Sequence, residues 1–522
     1  MAPEEPAEPP DLGDPDLDEP PVRWAVEDVE HVVPGEATTR DELLIASALF
    51  TPLTRVGPEG RAQPALALDW TAEDDAMRWR FSLDPEARFT VPGDEEDETL
   101  PVTAQDVAFA WDRAAREGRA GFLLADVTGH EAVAEGRRAS LEGVRALDDH
   151  TLEVVLDRPH GQLDLLVSHP SLAPLPASRW EDDPQRERTR PIGNGPFVLD
   201  GEDVGGPTIS VRAPRDPAPR QHQSVEGIRF QRLSTQDAYV AFQQERLHVA
   251  PVPRAALTAA RARYGELGVG EPGGVDLGHG PALTALGVRV DGALEDAEVR
   301  RAVSSAIDRQ ALVDALPDQG LAPADGLLLD GLPAGGEGRC DHCAYAPFSA
   351  RAALAEADLD SLTLLIDDDP VHEPLIARLE ADLAEAGLAL EVERRPYEAY
   401  WDAVRAGQGD LFRLGWAPEH LTGLDVLWPL LHREGRWSLT GLEDEGLDAA
   451  LEEARATTNP LVRQQRLAQA EDLAHEQAVL LPLLDEARPT VHHPTLEGVR
   501  PHPLGRLDLR AVGLRAPDDP AS

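Results

Sequence analysis

The sequence predicts an α/β protein of several domain-sized units, and three observations carry that prediction. Short apolar strands alternate with amphipathic helices, most clearly as strand–helix–strand over residues 361–395. The 522 residues are 42% hydrophobic, enough to bury a large core. No window reaches the ~18 uncharged apolar residues of a membrane span, so the apolar mass belongs inside the fold.

The elements follow in order. Residues 1–21, "MAPEEPAEPPDLGDPDLDEPP", alternate proline with acid and read as an extended, solvated tail. Such tails commonly tether a domain, and residue 1 is expected to lie downstream of a removed export signal, because the chain itself shows no signal-peptide apolar region. "MRWRFSLDPEARF" puts Trp79, Phe81 and Leu83 on one face of a strand. "PVTAQDVAFAWDRAAREG" reads as a helix with Thr103 as N-cap, Val107, Ala110 and Trp111 on one face, and a stop at Gly118. "HTLEVVLDRP" and "GIRFQRLS" read as strands. "DAEVRRAVSSAIDRQALVDAL" reads as one amphipathic helix capped by Asp296, with Val299, Val303, Ile307 and Leu312 inward. "SLTLLID", "EPLIARLEADLAEAG" and "LALEVERR" form a βαβ unit, which implies a parallel pair and a right-handed crossover. Ligands of such sheets lie beyond the carboxyl ends of the strands.

The charge is extreme. Asp and Glu number 96 against 48 basic residues, a net of −48, and every basic residue is arginine. That field repels phosphates and argues against a nucleic-acid partner. It suits solubility at high salt, where self-repulsion is screened. The two cysteines, Cys340 and Cys343 in "GRCDHCAYAP", leave three readings: a redox pair, half of a zinc site, or a local disulfide. The flanks are loop-like and no second CxxC follows, so a loop-closing disulfide leads, a plain thiol pair comes next, and metal is last.

"DLFRLGWAPEH", Asp410–His420, carries Arg413 from the middle of an apolar run, breaks at Gly415, presents Trp416 and then Glu419. A cation, a large aromatic and a carboxylate at one strand end read as a pocket wall for a polar, zwitterionic ligand. Enzymatic patterns are wanting. HExxH, GxSxG and phosphate-loop motifs are absent from the sequence. Asp367–Asp369 read as a solvated charge run, and His492 and His493, being adjacent on a strand, point to opposite faces.

Eight segments, in order from about residue 22 to 510, resemble the solute-binding proteins of ABC importers, specifically the large peptide- and nickel-binding family, family 5. They are "SALFTPLTR", "PALALDWTAEDDAMRWRFSLDPEARF", "PVTAQDVAFAWDR", "PIGNGPFVLDG", "EVRRAVSSAIDRQAL", "YAPFSARAALAEADL", "GDLFRLGWAPEH" and "RQQRLAQAEDLAHEQAVLLPLL". The resemblance implies the large, three-domain variant of the type II periplasmic-binding-protein fold, with two α/β lobes closing on a ligand. Lobe 1 would span 22–278 with an extra subdomain at about 56–165, lobe 2 would span 279–486, and 487–522 would return to lobe 1.

It further implies an extracellular or periplasmic receptor, tethered to the outer face of the cell membrane and monomeric, with no cofactor and no catalysis. Such a receptor passes a peptide or similar solute to an ABC permease. By that resemblance Glu419 grips a ligand ammonium, Arg413 faces its carboxylate, and Gly415 and Trp416 line the site. Three departures qualify the specificity. Thr51 stands where several peptide binders carry glutamate, "HLTG" replaces a proline-containing acidic turn, and "LGVRVDG" lacks a common asparagine. A receptor for nickel complexes, with His420 as ligand, is the alternative within the family. Outside it stand an acidic secreted hydrolase and a binding fold reused as a sensor.

Overall fold

The computed structural model describes residues 21–515, apart from 58–59, 202, 218–222, 268–272, 278–281, 317–320, 330–331, 333–334, 336–339, 421, 487 and 500–507. Residues 1–20, nearly all of the acidic tail, and 487, 500–507 and 516–522 of the segment read as a C-terminal return lie outside the described residues. The chain forms two compact units. One comprises Met1–Arg158, Leu163–Leu277 and Pro489–Ser522, the other Pro159–Gln162 and Gly278–Arg488.

The first unit is built on a seven-stranded mixed sheet. Its strand order is Val198–Leu199, Thr208–Arg212, Gly227–Arg232, Val22–Val26, Val249–Pro251, Thr490–His492 and Gly274–Asp276. Val22–Val26 runs parallel to both of its neighbours, while Thr490–His492 is antiparallel to both of its own. A four-stranded antiparallel sheet, ordered Ala67–Glu73, Arg78–Leu83, Thr151–Val155 and Val144–Asp148, packs into the same core. Trp79, Phe81 and Leu83 are all buried from one face of Arg78–Leu83, as their alternation predicts. The helix Ala104–Glu117 starts at Thr103, which shares a capping box with Asp106, and ends at Gly118. Its Trp111 is fully buried and donates its indole N–H to the Leu172 carbonyl at 2.9 Å, so the core's largest ring leaves no orphan donor. Glu42, also buried, accepts the backbone N–H groups of Glu30, His31, Thr38 and Thr39, tying the loop before the helix Arg40–Leu49 to its first turn. Those hydrogen bonds outweigh burial and hold its carboxyl below the usual range.

The second unit carries a six-stranded sheet ordered Leu321–Pro323, Leu480–Glu486, Ala282–Val288, Leu411–Trp416, Ser361–Asp367 and Ala389–Arg395. Ser361–Asp367 and Ala389–Arg395 pair in parallel across the helix Glu373–Glu385, which is the βαβ unit read from the sequence. Leu375, Leu379 and Leu383 bury the inner stripe of that helix. One reading needs correction. Residues 296–316 form two helices, Ala297–Ser305 and Arg309–Ala315, not one. Asp308 caps the second by accepting from the Ala311 N–H, and a side chain that caps so well favours a restart over continuation.

The strap Pro159–Gln162 is held in the second unit by backbone contact. Gly161 N–H donates to the Arg455 carbonyl at 2.7 Å, and the Arg463 guanidinium donates to the Gly161 carbonyl at 3.0 Å. A Cβ on Gly161 would sit 2.1 Å from the Thr457 carbonyl oxygen, so only glycine passes here. No helix among the described residues is long and apolar enough to cross a membrane.

Candidate functional site

The strand Leu411–Trp416 is the hinge of the site because its two neighbours treat it differently. Ala282–Val288 pairs with it along its whole length, from Val288 opposite Leu411 to Leu283 opposite Trp416. Ser361–Asp367 pairs with it only at Leu411 and Phe412. Past Phe412 the parallel neighbours are no longer paired, and the carboxyl ends of such strands are where an α/β sheet presents ligand-binding groups.

Arg413 is the first residue beyond that pairing. Its side chain is half-buried, its Nε is buried, and its guanidinium makes no hydrogen bond to any described residue. Gly415 does not break the strand, contrary to the expectation from sequence, since it keeps its place opposite Thr284. The Arg413 guanidinium runs beside it: a Cβ there would lie 3.6 Å from both terminal nitrogens, an ordinary contact distance. Tyr400 donates its hydroxyl to the Arg413 carbonyl. Burial pushes the Tyr400 phenol well above its ordinary range, while Arg413 pulls the other way. At the end of the neighbouring strand, Asp367 accepts from His372 Nε2 at 3.1 Å and 3.2 Å. Burial and then the Arg413 charge hold His372 below its ordinary pKa, against the opposing pull of Asp367. Asp367 is therefore engaged and half-buried, unlike the exposed Asp368 and Asp369 beside it. The sequence reading of all three as a solvated run fails at Asp367, because the partner that pulls it inward lies in the next turn of chain.

After the strand, Asp425 organises the loop. Its Oδ2 accepts the backbone N–H of Glu419 and, at 3.0 Å, that of His420. Its carbonyl accepts the Trp416 indole N–H at 2.9 Å. The indole polar edge is thus turned inward, leaving a half-buried ring to offer apolar area and a π face. Glu419 is half-buried and His420 is buried, with Nδ1 3.8 Å from the Asp425 carboxylate. Thr422 donates its hydroxyl to Gln162 of the strap at 2.8 Å. The structure therefore gathers Arg413, Gly415, Trp416, Glu419 and His420 on one strand end and its loop. It adds Asp367, His372, Tyr400, Asp425 and Gln162, none of which the sequence reading assigned to the site.

Thr51 belongs to the first unit. Its backbone N–H and C=O are both taken by the side-chain amide of Asn194, each at 2.9 Å. Asn194 is buried between Gly193 and Gly195, both pressed on the end of the helix Arg40–Leu49; a Cβ on Gly193 would meet the Leu49 carbonyl oxygen at 1.8 Å. Cys340 and Cys343 are joined by a disulfide across a single helical turn of the second unit.

Comparison with known proteins fixes the context. Residues 61–438 match the family model "Bacterial extracellular solute-binding proteins, family 5 Middle". The chain is 22% identical over 478 residues to the dipeptide-binding protein DppE of Bacillus subtilis (strain 168), covering 88% of this chain and 85% of that one. It is 25% identical over 462 residues to the probable deoxycholate-binding periplasmic protein YgiS of Escherichia coli (strain K12), covering 83% and 82%. The unliganded open form of the murein tripeptide binding protein MppA superposes with a TM-score of 0.80 at 19% identity, over 94% of this chain and 97% of that one. The two-unit α/β architecture is that of these periplasmic binding proteins, and with nearly three-quarters of its length inside the family match, this chain belongs to the bacterial extracellular solute-binding proteins of family 5.

Proposed function

We propose that this chain is an extracellular receptor that captures a peptide and delivers it to an ABC permease, with Arg413 holding the ligand carboxylate and Glu419 its ammonium. The observation that carries the reading is Arg413 itself. A guanidinium with a buried Nε and no hydrogen-bond partner among the described residues is costly to the ligand-free protein, and an entering carboxylate satisfies it in two-point fashion. Glu419 supplies the opposite charge from a loop whose backbone Asp425 already holds, so little ordering remains to be done on binding. Trp416 covers the apolar stretch between them, and His420, tied to the Asp425 carboxylate, supports the loop rather than a nickel complex. The receptor binds stoichiometrically and makes or breaks no bond. Membrane tethering by the acidic tail and a monomeric state complete the proposal.

With threonine at position 51 in place of glutamate, one of the two carboxylates expected to grip the ligand ammonium is missing, which leaves Glu419 for that role. The test is thermal unfolding of the full chain, at low and high salt, against peptides of two to five residues. A ligand at 100 times its dissociation constant adds ~2.7 kcal/mol, a plainly visible shift. Free-amine peptides should stabilise the protein, N-acetylated ones should not, and Glu419→Gln should abolish the difference. A chain that no peptide shifts, and that deoxycholate does, belongs instead with the bile-acid relative, where Arg413 would serve the single carboxylate.

A further inference from the structure

We propose that the second unit contains a redox-gated metal site: once the Cys340–Cys343 disulfide is reduced, Cys340, His342 and His475 bind one thiophilic cation, Zn2+ or Cu+. These three residues are 6%, 7% and 5% exposed, and Cys340 Sγ and a ring nitrogen of each histidine lie within 4.8 Å of one another. Metal–ligand distances of ~2.3 Å to sulfur and ~2.0–2.1 Å to imidazole draw such a set together by movements of about an ångström. A thiolate with two imidazoles is the donor chemistry of Zn2+ and Cu+, and it excludes Mg2+ and Ca2+, which take oxygen.

His475 supplies the second observation. It lies in the last turn of the helix Pro460–Gln477, and neither of its ring nitrogens has a hydrogen-bond partner among the described residues. Its nearest carboxylate oxygen, Glu471 Oε1, is 3.7 Å away and already accepts the N–H groups of Leu327 and Leu328 at 3.0 Å and 2.8 Å. A buried imidazole left this way is destabilising, and proteins seldom keep one without a use for it. The His342 ring stands edge-on to the His475 ring, 5.6 Å between centroids, and is oriented by Ser304 Oγ at 2.8 Å. Cys340 Sγ is 3.5 Å from both nitrogens of His342.

In the oxidised chain the sulfur is a disulfide sulfur and the set is one ligand short. A dithiol donates two electrons and two protons to the Cys340–Cys343 bond and becomes a disulfide itself; the cation then displaces the proton from Cys340 Sγ. Cys343, freed in the same step, is the nearest source of a fourth ligand. The disulfide and the ion are therefore alternative fastenings of one loop. The sequence showed two of these three ligands side by side, Cys340 and His342; His475 lies far along the chain and is brought in by the fold.

The test is anaerobic titration of the full chain with Co2+, then Zn2+, before and after reduction by a phosphine and its removal. The reduced chain should bind one Co2+ with a thiolate-to-cobalt charge-transfer band, and Zn2+ should displace it. The oxidised chain should show no such band. Cys343→Ala, which cannot form the disulfide, should show the band without reductant. Cys340→Ser and His475→Gln should each weaken Zn2+ binding by at least ~100-fold, since even outer-shell losses reach that size. The proposal is overturned if the reduced chain and Cys343→Ala both lack the band. Equal binding by Cys340→Ser and the parent chain overturns it too, because the ion is then held by surface carboxylates. Loss of the fold both on reduction and in Cys343→Ala counts against it in the same way.

Discussion

Replacing Arg413 with methionine separates a ligand-binding arginine from a structural one, because the two roles predict opposite signs. In the ligand-free protein the guanidinium has a buried Nε and no hydrogen bond to the described residues, and Asp367 keeps His372 as its partner whether or not Arg413 is present. Leaving a buried donor unsatisfied costs ~1–3 kcal/mol, and the lower end applies to a half-exposed side chain. Arg413→Met should therefore stabilise the free protein by ~1 kcal/mol, a rise of ~2–4 °C in Tm for a unit of this size.

With ligand the sign reverses. Charge-assisted hydrogen bonds contribute ~1.5–3 kcal/mol, so a peptide with a free carboxyl terminus should bind ~10- to 150-fold more weakly to the variant. A carboxy-amidated peptide should bind the parent chain weakly, and the variant should not distinguish acid from amide. Calorimetric titration of both peptides against both proteins closes the cycle. One spectroscopic readout stands apart from stability. Arg413 helps to hold His372 below its ordinary pKa, so the imidazole should titrate at higher pH in the variant. A variant that melts lower than the parent and still discriminates acid from amide would refute the reasoning.

Three further outcomes follow from the packing. Asp425→Ala removes the acceptor shared by the Glu419 and His420 N–H groups; the cost of ordering that loop, ~1 kcal/mol, should appear as about fivefold weaker peptide binding by calorimetry, and Asp425→Asn should recover most of it. Gly193→Ala places a methyl 1.8 Å from the Leu49 carbonyl oxygen and should cost ~3 kcal/mol in urea unfolding, the upper end of overpacking. His492 is fully buried, and desolvation holds its pKa at about 3, below the ordinary 6.5. The unfolded chain takes up that proton below pH 6.5 and the folded chain does not. Its contribution is therefore present above about 6.5 and is lost by ~1.4 kcal/mol per pH unit as pH falls toward 3. Unfolding at pH 7.5 and 5.5 should differ by ~1.4 kcal/mol from this group, and His492→Gln should remove that difference.

What could be read from the chain was local. Trp79, Phe81 and Leu83 alternate because their strand has one wet face, and Thr103 and Gly118 bracket a helix because capping is written into neighbouring residues. The break at Asp308 was equally local and was missed, because an apolar stripe continues across it and masks the cap. The site was legible only along its own strand. Asp367, Tyr400 and Gln162 join it through strand register and chain crossing, which residue spacing does not encode. Gly415 was seen but misread: glycine inside an apolar run signals a stop, and only its pairing opposite Thr284 shows that the strand runs on.

The strand Thr490–His492 lies between Val249–Pro251 and Gly274–Asp276 and is the bridge between them. Synthesis and export proceed from the amino terminus, so the first unit waits for that bridge while the whole of Gly278–Arg488 is made. The later unit, nearly contiguous, can bury its own core in the meantime. Two strand edges meanwhile stand open, the kind of surface through which nascent chains aggregate. A chain ending before Thr490 would never close that sheet, which makes the last thirty-odd residues a proofreading step: only a full-length receptor acquires a finished first unit.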